Sequence, residues 1–249
     1  MSIDQKDWFS EWFDSPYYHI LYKHRDEKEA ESFINKLISY LGTRPDALIM
    51  DLACGRGRHS IYLNKKGYNV TGIDLSPHSI AYARRFENPQ LKFFVHDMRE
   101  VFQSSAFDLI LNLFTSFGYF DREEDNYKAI RSLAESLKKD GLAVIDFMNT
   151  AKVLAGLIDG KTMTIEVDGI KFNIKKRLEN DFIIKDIRFH ADGKEHHHIE
   201  RVKAITREDF IKYFNFTGLS VIQIFGDYQL NDYSEDKSDR MIFTLKHKS

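Results

Sequence analysis

Cysteine is almost absent from this chain. Cys54 stands alone among 249 residues, so no internal disulfide can form. It sits in a glycine turn with no helper apparent nearby, and it reads as a small packing residue rather than a nucleophile. Charge of one sign is also missing. Lys and Arg number 36 against 38 Asp and Glu, a net of −2, which argues against a broad nucleic-acid footprint. No run approaches the roughly 18 apolar residues of a membrane-spanning helix. The opening MSIDQKDWFSEWFDS mixes acids with aromatics and holds no apolar core, so it does not read as a signal peptide. There is no internal repeat and no low-complexity tract. The expectation from these absences is a cytoplasmic protein. A hydrophobic content of 43% is enough for one full-sized α/β core with a small appended subdomain.

What is present centres on residues 48–60, LIMDLACGRGRHS. Leu48, Ile49 and Met50 read as a short buried strand that Asp51 closes. Gly55 and Gly57 make a tight turn, and a helix starts at about Arg58. Glycine lets backbone approach a ligand closely, and free N–H groups at a helix start favour electron-rich atoms. An ordinary strand-to-helix turn has the same outline. Two carboxylates sharpen the nucleotide-binding reading: Asp51 before the turn, and Asp74 at the end of the next apolar run, YNVTGID. A dinucleotide fingerprint also wants an acid about 20 residues on, but it has a third glycine where this chain has Ser60.

Periodicity sets out the rest. Ala30, Phe33, Ile34, Leu37, Ile38 and Leu41 predict a helix over 27–41, stopped by Gly42. The helix after the central turn runs to about Lys66. Strand two reaches Asp74, and Ser76-Pro77 opens a helix over 77–86. Strands three and four are 91–95 and 107–112. Asp121 and Glu124 form a capping-box variant that opens a helix over 122–138, with Lys138 and Lys139 at its C-terminus. Strand five is 142–147. This alternation predicts a parallel, doubly wound sheet with its ligands outside the carboxyl ends of the strands. Asp51, Asp74, Asp97, Asn112 and Asn149 all fall at that edge. From 162 to 204 the pattern changes to about four antiparallel strands joined at Asp168-Gly169, Glu179-Asn180-Asp181 and Asp192-Gly193. Thr206 and Asp209 cap a further helix, and strands six and seven are 219–225 and 240–245. Four segments are expected: 1–44, an aromatic arm and helix; 45–150, the ligand-binding core; 160–205, an inserted sheet; and 206–249, a return to the core.

The D-x-x-C-G-x-G turn followed by G-x-D resembles the class I S-adenosylmethionine-dependent methyltransferases, over roughly 45–150 and again at 206–246. The resemblance implies a doubly wound, seven-stranded Rossmann-like α/β sheet, with strand seven antiparallel between five and six; the antiparallel β subdomain inserted after strand five is read from the turns at 162–204. It implies S-adenosyl-L-methionine as cofactor and in-line transfer of its methyl group to a small-molecule N or O acceptor. Asp51 would orient the methionine amino end, with Ala53, Gly55 and Gly57 letting that end lie close. Asp74 would take the ribose hydroxyls, with Leu75 against the adenine. Asp97 would accept from the adenine amino group, Met98 would touch the ring edge, and Asn112 and Leu113 would face the methionine backbone. Phe114, Phe117 and Tyr119 would line the route to the methyl; their other reading is core packing. In the family an aromatic N-terminal segment often closes over the site. Tyr22 is therefore a candidate cofactor contact, Tyr17 and Tyr18 candidate pocket residues, and His24 and Arg25 candidate partners for a carboxylate.

The run NLFTSFGYF has no proline, unlike the DNA adenine enzymes, and it loosely resembles sugar-amine and glycine-type N-methyltransferases. No nucleic acid or membrane partner is expected, and the chain is expected to be a monomer or homodimer. The inserted sheet is expected to cap the substrate, with a dimer interface as the other reading. No catalytic base stands out; His19, His59 and Tyr228 are candidates by reach alone. His196, His197 and His198 alternate across a strand, so at most His196 and His198 share a face, and no third metal ligand is spaced nearby. Two other classes stay open. A nicotinamide-dependent oxidoreductase needs the missing glycine and a hydride-site acid–base pair. A non-catalytic binding module would keep the fold and transfer nothing.

Overall fold

The structure is a computed structural model that describes Trp12 and residues 15–22, 27–157 and 162–248. In chain order its elements are α1 (Pro16–Leu21), α2 (Glu27–Leu41), β1 (Leu48–Leu52), α3 (Arg58–Lys65), β2 (Asn69–Asp74), α4 (Pro77–Ala83), β3 (Leu91–Val95), β4 (Phe107–Asn112) and α5 (Glu123–Ser136). Then follow β5 (Leu137–Met148), α6 (Thr150–Ala155), β6 (Thr162–Val167), β7 (Ile170–Glu179), β8 (Phe182–Ala191), β9 (Lys194–Lys203), α7 (Arg207–Phe216), β10 (Leu219–Phe225) and β11 (Arg240–His247). Contacts divide the chain into two compact units. One holds the described residues of Met1–Asp26 and Val153–Ala204, the other Glu27–Lys152 and those of Ile205–Ser249.

The larger unit is a seven-stranded sheet in the order β10-β11-β5-β4-β1-β2-β3. The five strands from β1 to β5 pair in parallel. β11 runs antiparallel between β5 and β10. Chain order reverses between β1 and β4, so their outgoing loops diverge and leave a crevice at the carboxyl edge. Ile49, Met50, Ile110, Leu111, Val144 and Ile145 are buried, as expected for strands covered on both faces. Two glycines set how closely α3 approaches the sheet. A Cβ on Gly57 would lie 2.7 Å from the Phe93 ring, and one on Gly72 would lie 2.6 Å from it. The aromatic ring of β3 fills the space that the two missing side chains leave.

Several expected boundaries shift. β1 continues two residues beyond Met50, and a 3₁₀ turn over Arg84–Phe86 replaces the last turn of the 77–86 helix. The Asp121/Glu124 cap does not form: α5 has Arg122 at its N-cap, with no side-chain capping bond. Glu123, Glu124 and Asp125 instead crowd the first turn, where acids suit the helix dipole. Lys138 and Lys139 do not end that helix; they lie in β5, which starts at Leu137. The cause is tertiary. Leu137 is buried and pairs with Phe107, and the Lys138 ammonium reaches Asp108 at 2.8 Å. The Thr206/Asp209 capping box is formed at α7, and Phe210, Tyr213 and Phe214 point inward.

The smaller unit is a four-stranded antiparallel sheet, β6-β7-β8-β9. Its three turns are Asp168-Gly169 (φ 50 and 80°), Asn180-Asp181 (48 and 63°) and Asp192-Gly193 (51 and 72°), so each has two positive φ values as a type I′ hairpin requires. Phe172, Ile174, Ile187 and Phe189 form one apolar face with Trp12 and Leu21. Glu200 is buried beside them and accepts hydrogen bonds from Trp12 Nε1 (2.8 Å), Tyr22 Oη (2.6 Å) and Lys185 Nζ (2.9 Å). His196 stacks on Phe189 at 4.8 Å and His198 on Trp12 at 4.3 Å. Among the described residues no group of His, Cys, Asp and Glu could hold a metal ion, and no helix is long and apolar enough to cross a membrane.

Candidate active site

The turn after β1 is built from left-handed residues: Ala53 at φ 62°, Gly55 at 56° and Gly57 at 80°. Cys54 N–H donates to Ile73 C=O at 2.9 Å, tying the turn to the end of β2. Burial, with Asp51 and Asp74 adding to it, pushes the Cys54 thiol well above its ordinary pKa, so it stays protonated.

Asp74 completes the turn. One carboxylate oxygen accepts from Gly55 N–H at 2.8 Å and the other from Ser76 N–H at 2.8 Å. Leu75 beside it is 41% exposed, an apolar side chain left open at the sheet edge. Asp51 is 1% exposed, and one of its oxygens accepts from Ser60 N–H (3.1 Å) and Ser60 Oγ (2.6 Å). Burial raises its pKa to about 6, the Ser60 hydrogen bonds pull it down, and the Asp74 charge adds to the rise.

Asn112 ends β4. Its Nδ2 donates to Leu52 C=O at 2.9 Å, which fixes the amide orientation and leaves Oδ1 buried with no hydrogen-bond partner. An acceptor orphaned in this way is a cradle for a ligand N–H. Leu113 is buried next to it, and Met98 is half-buried past β3. Asp97 is gripped by Arg99, whose Nε lies 3.0 Å from both carboxylate oxygens. Burial works against the charged form, but the Arg99 guanidinium and backbone N–H hold the Asp97 pKa below its usual value.

The aromatic residues after β4 divide. The Phe114 ring stacks on His59 at 4.9 Å, lies 4.9 Å from Tyr228, and carries the Arg58 guanidinium at 4.9 Å. Phe117 is buried against Phe210 at 5.6 Å. The Tyr119 hydroxyl donates to Thr115 C=O at 2.8 Å. Burial, and then the Arg58 charge, lower the His59 pKa to about 3, which leaves it a very weak base at neutral pH. Tyr228 Oη donates to Asp146 at 3.2 Å.

The N-terminal tyrosines lie in the smaller unit. Tyr17 Oη donates to Asp192 at 2.5 Å, the Tyr18 ring meets Trp12 at 5.8 Å, and Tyr22 is tied to Glu200. His24, Arg25 and the His19 side chain lie outside the described residues.

Sequence reasoning missed Asp146 and Arg240. Asp146 is fully buried in β5 and pairs with the Arg240 guanidinium of β11 at 2.7 Å. The signal was available: an acid in the middle of the apolar run AVIDFM must find a cation. Which cation could not be read, because 94 residues separate the two.

Residues 49–141 match a protein family described as a methyltransferase domain. The chain is 28% identical over 231 residues to a glycine/sarcosine N-methyltransferase of Aphanothece halophytica, covering 89% of this chain and 83% of that one. It is 27% identical over 184 residues to the dTDP-3-amino-3,4,6-trideoxy-alpha-D-glucopyranose N,N-dimethyltransferase of Streptomyces venezuelae, covering 70% and 75%. In fold it is similar to an S-adenosylmethionine-dependent methyltransferase from Clostridium acetobutylicum, with a TM-score of 0.79, 22% identity, and coverage of 94% and 96%. The matched domain, the relatives and the shared fold together support a class I S-adenosylmethionine-dependent methyltransferase. This methyltransferase therefore carries its acids and amide at the carboxyl edge of a sheet whose strand order suits that chemistry.

Proposed function

We propose that the enzyme transfers the methyl group of S-adenosylmethionine to the nitrogen of a small amine, an amino acid or an amino sugar. The single observation that carries the cofactor side of the reading is the buried, unpartnered Asn112 Oδ1, on the strand beside Asp51. An ammonium group supplies the donor that this amide lacks and the positive charge that a carboxylate of raised pKa favours. Asp51, Asn112 and Leu113 then hold the amino-acid end, with Ala53, Gly55 and Gly57 lining its path. Asp74 holds the ribose hydroxyls. Its oxygens are already aimed by Gly55 and Ser76 N–H groups, so little ordering remains to be done on binding. Leu75, Met98 and Asp97 take the adenine.

When bound, S-adenosylmethionine supplies a methyl group activated by its sulfonium. The protein's task is to hold that group in line with the acceptor and to exclude water. Such positioning is worth roughly 7–11 kcal/mol. An acceptor amine that arrives neutral needs little help from a base, which agrees with His59 being buried and Tyr228 Oη being committed to Asp146. Amine acceptors are favoured over hydroxyls because the glycine/sarcosine enzyme and the amino-sugar enzyme are both N-methyltransferases by name.

The test is methyl transfer from S-adenosylmethionine to a panel of glycine, sarcosine and 3-amino sugar nucleotides, with matching hydroxy compounds. Turnover on an amine and none on its hydroxy analogue is expected. Turnover confined to the hydroxy compounds would contradict the acceptor assignment.

A further inference from the structure

Asp146 sits in an apolar strand with no exposed surface, and the groups that neutralise it converge on the turn just past β4. One of its carboxylate oxygens accepts from Phe114 N–H at 2.7 Å, and the other accepts from Arg240 Nε at 2.8 Å. Its main-chain carbonyl accepts from Thr115 N–H at 3.0 Å. Arg240 then donates from its second nitrogen to Thr115 Oγ1 at 2.8 Å. The ion pair thus holds one amide and one hydroxyl of the turn, and the main chain of Asp146 holds the next amide.

The turn needs holding. Phe114 and Thr115 both lie in the left-handed region, at φ 59 and 61°, where side chains are disfavoured and a β-branched threonine most of all. Such backbone persists only where its surroundings over-determine it, and it gathers at functional sites. A glycine would adopt it freely, yet none stands there. Asn112 and Leu113 immediately precede the turn, so its path fixes theirs.

We propose that Asp146 and Arg240 are positioning residues: the pair holds the Phe114–Thr115 turn left-handed and so keeps Asn112 and Leu113 in register with the amino-acid end of the bound cofactor. This rests on the cofactor placement given under Proposed function. Asp74, Leu75 and Asp97 hang instead from β2 and β3, whose hydrogen bonds do not pass through Asp146. The pair therefore acts on one half of the cofactor and not on the other.

The test compares two ligands, S-adenosylhomocysteine, which has the amino-acid end, and adenosine, which lacks it. Asp146→Asn keeps the shape and removes the charge. Thr115→Val is close to isosteric, deletes only the acceptor of Arg240, and leaves no buried charge unpaired, so it carries the test if Asp146→Asn does not fold. Both are titrated calorimetrically with both ligands, with unfolding midpoints recorded separately. Asp146→Asn is expected to lose about tenfold or more in affinity for S-adenosylhomocysteine, and Thr115→Val about three- to fivefold, with adenosine changing less than about twofold in each. A structural role alone would weaken both ligands together. Equal losses on the two ligands, or no loss on either in a Thr115→Val protein of unchanged midpoint, would overturn the proposal. Asp74→Ala separates this from the broader reading. If it loses both ligands while the turn variants lose neither, cofactor placement stands and the positioning role falls. If the wild-type protein binds neither ligand, both fall.

Discussion

Two buried ionisable residues on either side of one turn respond to pH in opposite senses. Asp51, raised to about 6, binds its proton more tightly in the fold than in the unfolded chain. Its ionised form therefore costs stability: the loss is absent below about pH 4 and grows as pH rises towards 6, reaching about 3 kcal/mol. Asp51→Asn is expected to raise the unfolding midpoint of the ligand-free protein at pH 7 while weakening cofactor binding. Because the ionised carboxylate is the form that suits an ammonium, affinity of the wild type is expected to fall as pH drops through about 6. A flat affinity profile between pH 5 and 7.5 would count against Asp51 facing the amino group. His59, lowered to about 3, behaves in the other way. It contributes stability that is fully present above its unfolded pKa near 6.5 and is lost as pH falls towards 3, about 5 kcal/mol at most. His59→Phe keeps a ring against Phe114 and cannot be protonated. Its acid unfolding midpoint, followed by circular dichroism, is expected at lower pH than the wild type's. Asp51, Asp74, Asp97 and Asn112 were legible because each follows a run that reads as a strand. The Asp146–Arg240 pair was not, because the cation arrives on a strand that threads between two others late in the chain.

At the scale of elements, the closeness of α3 to the sheet rests on two glycines and one ring. Gly72→Ala places a methyl against Phe93 without any backbone strain, since Gly72 does not lie in the left-handed region. Gly57→Ala meets the same ring and must also adopt φ 80°. Each is expected to destabilise by about 1–3 kcal/mol. Adding Phe93→Leu should recover much of the first loss and less of the second, as read from urea unfolding midpoints. Equal recovery would show that φ at Gly57 costs little. Turn chemistry and the Thr206/Asp209 cap could be read from sequence because they are local. The passage from α5 into β5 could not. Lys138 and Lys139 look like a helix end, but burial of Leu137 against Phe107 starts the strand there. Tertiary pairing outweighed the local preference.

Across the whole molecule, the alternation of strands and helices gave the doubly wound sheet, and the Asp-Gly turns gave the inserted one. The strand order, with β11 between β5 and β10, came from the resemblance and not from the pattern, since hydrophobic periodicity carries no information on which strands are neighbours. The resemblance offered Tyr17, Tyr18 and Tyr22 as ligand contacts; in the described structure the Tyr22 and Tyr17 hydroxyls donate to Glu200 and Asp192 of the smaller unit.

The central claim is that Asp74 and the turn it braces bind S-adenosylmethionine. The most direct measurement is calorimetric titration of the wild-type protein and Asp74→Ala with S-adenosylmethionine, with NADH in parallel. Two hydrogen bonds to a charged acceptor are at stake, so Asp74→Ala is expected to lose on the order of 10²-fold or more in affinity. The wild type is expected to bind S-adenosylmethionine in the micromolar range and to ignore NADH. Undiminished binding by Asp74→Ala, or binding of NADH in place of S-adenosylmethionine by the wild type, would contradict the account.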